Sequence, residues 1–135
     1  MDLSRIRTLL EKKCIKLAQG VDLATLNHFK TVRGLEVDTE LLKLYSGFNG
    51  FDEYDAKSQI LVWSLRLLFD DRNETVTYIH RPYVGFGDFL IMSDTFRCCP
   101  TDIRAPIFLL HEGREVSSTM EDFFFKLGLG EFDYL

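Results

Sequence analysis

Cysteine is scarce in this 135-residue sequence and oddly placed: there are three, two of them adjacent at Cys98 and Cys99. An odd number with an adjacent pair makes no disulfide framework and points to a reducing compartment, so a cytoplasmic location is expected. The pair also lacks the two-residue gap of a zinc knuckle, and His80 and His111 lie far apart in sequence, so neither a metal nor another cofactor is expected. No apolar run approaches the roughly 20 residues of a membrane helix. The opening MDLSRIRTLLEKK is too charged for a signal peptide. Basic charge is in deficit, with a net charge of −5, and the deficit is uneven: residues 1–35 balance at +4, residues 36–135 at −9. An acidic body does not suit a nucleic-acid binder, which needs Lys and Arg against phosphates, but it does suit steering toward a basic protein. Internal repeats and low-complexity tracts are absent.

Enzyme chemistry finds equally little support. A Cys–His nucleophile requires a thiolate beside an oriented base, and nothing such as a helix N-terminus follows Cys98. The carboxylates at Asp52, Glu53 and Asp55 and at Asp70 and Asp71 lie in polar loops, where they are solvated rather than pushed apart in pKa. Gly85-Phe-Gly87 has no third glycine and no helix after it, so it is not a phosphate loop. No catalytic residue is expected.

What is present suffices for one globular domain spanning residues 1–135. Hydrophobic residues make up 46% of the chain, and a chain of this size buries about two thirds of its unfolded surface. A first amphipathic helix is expected over residues 2–19, packed on its own domain rather than on a membrane. A second follows the N-cap Asp22, with Leu23, Leu26, Phe29 and Val32 inward and a stop at Gly34. Asp38 caps a third helix, with Leu41, Leu42, Leu44, Tyr45 and Phe48 inward. Asn49-Gly50 reverses the chain with positive φ at Gly50. An acidic loop, Phe51-Asp-Glu-Tyr-Asp55, leads to the apolar strand Ile60–Val62 and the only tryptophan, Trp63, expected in the core. Beyond Trp63 the spacing admits a continued strand or a short helix capped by Ser64; the helix is preferred. Strands are expected at Val76–Ile79, closed by Pro82, at Phe89–Met92 and at Pro106–Leu110, the last turning at Gly113. Ser118-x-x-Glu121 reads as a capping box for a final helix with Met120, Phe123, Phe124 and Leu127 inward. The tail Glu131–Leu135 is expected to dock. Helices first and strands later give an α+β fold, a mostly antiparallel sheet flanked by helices.

The segment ELLKLYSGFNG, its acidic loop and the strand ending Trp63-Ser-Leu65 resemble the Smi1/Knr4 domain of the SUKH superfamily. Asn49 and Gly50 match the close of that family's helix, while Val37 stands where a proline is usual. Weaker similarity continues through Gly85–Asp88 to the Phe-Phe-x-x-Leu helix. The resemblance implies a binding protein without catalysis. In bacteria such domains look like immunity proteins that neutralise a protein toxin encoded nearby, often a nuclease. An intracellular scaffold or regulator is the alternative it suggests; a hydrolase using Cys98 or Cys99 is the third.

If the partner is a basic toxin, carboxylates would stand in for its phosphates. The acidic loop is the candidate partner-binding site: Asp52, Glu53 and Asp55, with Tyr54 between them and Phe51 beside them. Aromatics flanked by charge suit an interface centre.

Overall fold

The computed structural model describes residues 1–134. Helix α1 (Leu3–Lys12), strand β1 (Leu17–Gln19) and helix α2 (Leu23–His28) come first. Strands β2 (Thr31–Val32) and β3 (Leu35–Glu36), helix α3 (Thr39–Gly47) and strand β4 (Phe48–Phe51) follow. Then come β5 (Ile60–Val62), α4 (Leu65–Leu68), β6 (Val76–Tyr78), β7 (Arg81–Phe89), β8 (Asp94–Cys98), β9 (Ile107–Leu109), β10 (Arg114–Ser117) and α5 (Met120–Gly128). The fold is α+β. Its main sheet is antiparallel in the order β10-β9-β8-β7-β5, with β6 also paired to β7.

The two faces of this sheet differ, and the difference positions everything functional. Phe86, Phe96, Cys98, Ile107 and Leu109 join Ile6, Leu10, Leu41, Tyr45, Phe123 and Leu127 in one core beneath the helices. Phe123 of α5 sits with ring centroids 5.1 Å from both Phe86 and Phe96. Successive strand residues point to opposite faces, so Thr95, Arg97 and Phe108 turn away from the helices. On that second face Phe108 packs with Tyr83, Cys99 and Ala105.

The caps at Asp22, Asp38 and Ser64 form as expected, each side chain accepting from a backbone N–H of the first turn. The inward stripe of α5 is fully buried. Its cap lies one residue later than the capping-box reading: Thr119 accepts from the Asp122 N–H, and Asp122 accepts from the Ser118 N–H. Glu121 is thereby released to accept from the Asp2 N–H at 2.6 Å, tying α1 to α5.

Four other expectations are corrected. The first helix stops at Lys12, because Cys14 takes φ +62 and the Ile15 N–H turns back to the Leu10 carbonyl; Leu17 then pairs with Phe51 in β1–β4. The second helix stops at His28, and Thr31–Glu36 form a hairpin about Arg33-Gly34, both at positive φ, the conformation a two-residue turn demands. Pro82 lies inside β7, the β6–β7 turn being Ile79-His80 at φ +48 and +59. Phe89 ends β7, and Leu90, Ile91 and Met92 form a left-handed turn at φ +51, +52 and +67 instead of a strand. Of the tail, Phe132 is buried and the Tyr134 N–H donates to the Lys57 carbonyl; Leu135 lies outside the described residues.

Candidate binding face

The acidic loop does not present its side chains as one set. Asp52 and Glu53 are exposed; Glu53 lies 3.5 Å from the Lys16 ammonium, itself exposed. Asp55 points inward and is buried, accepting from Lys13 Nζ at 2.7 Å and from Ser58 Oγ at 2.6 Å and the Ser58 N–H at 3.0 Å. Lys13 also pairs with Asp133. Burial raises the Asp55 carboxyl, but these bonds outweigh it and hold its pKa below the usual carboxylate value. Asp55 therefore fastens the loop to the N- and C-terminal segments and offers a partner nothing. Phe51 is buried in the core.

Tyr54 is half-buried, and its hydroxyl donates to Asp88 Oδ1. Burial and that carboxylate push the phenol up to about 12. Asp88, on β7, is 1% exposed and accepts from two further groups: Trp63 Nε1 at 2.7 Å and the Met92 N–H at 3.0 Å. One carboxylate thus joins the acidic loop, the tryptophan and the turn after β7. The Leu90 N–H adds a second tie, donating to the Gln59 carbonyl at the end of the loop. The turn displays Leu90, Ile91 and Met92 at 45%, 75% and 58% exposure, a cluster of large apolar side chains held out in water.

Trp63 is not in the core, contrary to expectation. It is half-buried on the second face of the sheet, where its ring lies over Gly85. A Cβ at Gly85 would fall 3.0 Å from Trp63 Cζ3 and from Asn73 Oδ1, so any side chain there would push the indole or the Asn73 amide aside by a few tenths of an ångström. The helix-side contact expected of Trp63 is made by its backbone, whose carbonyl accepts from Tyr45 Oη at 2.9 Å.

Beside the indole opens a cleft of about 500 Å³. Trp63, Leu67 and Met92 give it apolar walls, and Thr95 and Arg97 line it from β8. Arg97 is 7% exposed; its Nη1 donates to the Glu74 carbonyl at 2.7 Å, and its Nε has no partner. Burial pulls the guanidinium below its ordinary pKa, opposed by the negative side chains of Glu74 and Asp94. Asp70, at the mouth, is held by Arg72 at 2.9 Å.

Sequence reasoning missed Asp88, Met92 and Arg97. The signal available for Arg97 was alternation: Thr95 and Arg97 against Phe96 and Cys98 is the pattern of a strand with one polar and one apolar face. Alternation likewise separates the two cysteines, Cys98 into the helical core and Cys99 into the opposite cluster. Burial pushes the Cys98 thiol well above its ordinary pKa, away from the thiolate a nucleophile needs.

Among the described residues no three His, Cys, Asp or Glu side chains group as a metal site, and no helix is long and apolar enough to cross a membrane. No protein-family model, curated protein or solved structure matches the chain.

Proposed function

We propose that this chain is a non-catalytic protein-binding domain of the immunity type, which occupies and neutralises a basic protein toxin in the cytoplasm. The observation that carries the reading is the Asp88 junction: a single buried carboxylate holds an exposed apolar turn against the loop that carries the exposed Asp52 and Glu53. An apolar centre with a charged rim is the anatomy of a protein interface, and large exposed apolar clusters mark interaction sites. The −9 balance of residues 36–135 supplies the field that draws in a basic partner. The resemblance to the Smi1/Knr4 domain supports the same reading. Burial of Cys98 and Cys99 lends no support to the hydrolase alternative.

The test is association kinetics with the toxin encoded in the neighbouring reading frame. Asp52→Asn with Glu53→Gln slows the on-rate and flattens its salt dependence, because rim charges act on encounter. Ile91→Asp acts on the off-rate and raises it at least about tenfold, as loss of a central apolar anchor does. Both sets are exposed and leave folding intact. Unchanged kinetics in both variants would move the interface to another surface.

A further inference from the structure

Thr95 and Arg97, which carry the two buried side-chain polar atoms without a partner among the described residues (Oγ1 and Nε), both line the same cleft, the two atoms lying just beneath its surface. They stand two residues apart on β8 and so share a face. Such groups are rare in folded proteins, because a donor left unpaired away from water forfeits its full hydration. The cost is larger for Arg97, a cation whose one hydrogen bond goes to a neutral carbonyl, with the Glu74 and Asp94 carboxylates acting on it only through space.

We infer that this cleft binds a carboxylate carrying an apolar body, its charged end held by Arg97 and Thr95 and its body against Trp63. An Arg N–H and a hydroxyl are complementary to the two oxygens of one carboxylate. Asp70 and Glu74 near the mouth set a limit on charge: they repel a phosphate dianion or a polyanion, and Arg72 is already engaged by Asp70. Trp63, Leu67 and Met92 supply apolar surface for the rest of the ligand. A volume of about 500 Å³ is that of a small-ligand site. The carboxylate belongs either to a free organic acid or to the apolar C-terminal residue of a polypeptide. This assignment shares Met92 with the proposed toxin-binding turn but does not use the acidic loop, and its test needs no toxin.

Trp63 is the only tryptophan in the chain, so its fluorescence reports binding directly. The full chain is titrated with 3-phenylpropionate, with 3-phenylpropionamide, with a hexapeptide ending in Phe as free acid or amide, and with inorganic phosphate. The free acids change Trp63 emission saturably, and each amide binds at least about tenfold more weakly, the loss expected of a charge-assisted Arg–carboxylate bond. Phosphate binds more weakly than the acids. Arg97→Met abolishes the preference for acid over amide, and Thr95→Val weakens acid binding several-fold. The acid–amide comparison on the unaltered chain decides the matter even where Arg97→Met fails to fold. Tighter binding of the free-acid peptide assigns the carboxylate to a polypeptide, and tighter binding of phenylpropionate assigns it to a small acid. No saturable change with any probe, equal binding of acid and amide, or phosphate binding as tight as the acids overturns the proposal.

Discussion

Replacing Asp88 by Asn changes one oxygen into an amino group and leaves shape and volume almost unaltered, so it isolates the hydrogen bonding of the junction. The carboxylate accepts at Oδ1 from Tyr54 and from the Met92 N–H, and at Oδ2 from Trp63 Nε1. The Tyr54 hydroxyl can reverse and accept; the other two donors cannot. With the amide oxygen at Oδ1, the new NH₂ faces the indole N–H. With it at Oδ2, the NH₂ faces the Met92 N–H. In either orientation one donor opposes another in a site that is 1% exposed. An unsatisfied buried group costs about 1–3 kcal/mol, and the remaining bonds lose their charge assistance, while relief of carboxylate desolvation returns part of this. A net destabilisation of about 2 kcal/mol follows. Urea unfolding followed by Trp63 fluorescence and by circular dichroism measures it, with coincidence of the two curves testing for a single transition. Trp63→Phe removes one donor and with it the fluorescent probe, so the cycle is followed by circular dichroism, and the double variant should recover at least about 0.5 kcal/mol of coupling. A loss under about 0.5 kcal/mol together with zero coupling would refute the junction as an energetic unit.

Gly50→Ala places a Cβ at φ +78 and 2.6 Å from the Val62 carbonyl oxygen; a loss of about 2 kcal/mol or more in urea midpoint-derived stability is expected, beyond the conformational penalty alone. Asp55 contributes stability that is present above its unfolded-state pKa of about 3.9 and is lost as pH falls through its lower folded value; Asp55→Asn should lower stability at neutral pH and reduce the acid dependence below about pH 4, measured by thermal unfolding across pH. Cys14 is exposed whereas Cys98 and Cys99 are buried, so an alkylating reagent should modify a single thiol rapidly in the native chain and all three in urea; rapid labelling of Cys98 would contradict its burial.

The parts of this fold legible in the sequence are those written in local chemistry. Helices α3 and α5 carry an apolar stripe of helical period between recognisable ends, and β9 is an apolar run with a turn residue behind it. The Ser64 cap decided correctly between strand and helix after Trp63. Positive φ at Gly50 was legible because glycine adopts it without steric cost, but the expected reversal at Asn49-Gly50 was not met, since both residues lie inside β4. What escaped depends on distant partners. Cys14 ends α1 in a conformation that a glycine usually supplies, and nothing near it in sequence announces this. The apolar letters of Leu90–Met92 read as buried strand because apolar residues usually are, yet they are displayed. Asp55 read as a solvated surface charge, and Arg97 drew no reading. Their burial is set by Lys13, forty-two residues away, and by the face of β8 on which Arg97 falls. Of the candidate site, two exposed acids and the half-buried Tyr54 remain on the outward side, and the carboxylate that organises them was invisible without the pairing of β7.

The clasp of Lys13 on Asp55 and Asp133 has a consequence for the order in which the molecule assembles. Its two ion pairs span 42 and 120 residues of sequence. During synthesis, which runs from the N-terminus, the acidic loop emerges with its lysine already available but its second carboxylate still unmade. Helix α1 is in the same position: the Asp2 N–H awaits Glu121, and the Arg5 guanidinium awaits the Phe125 ring that it covers at 5.0 Å. Closing loops of such length is slow relative to local structure. The nascent chain therefore holds its first helix only against α3, and its acidic loop without the second carboxylate of the clasp, until residues 121–133 have left the ribosome.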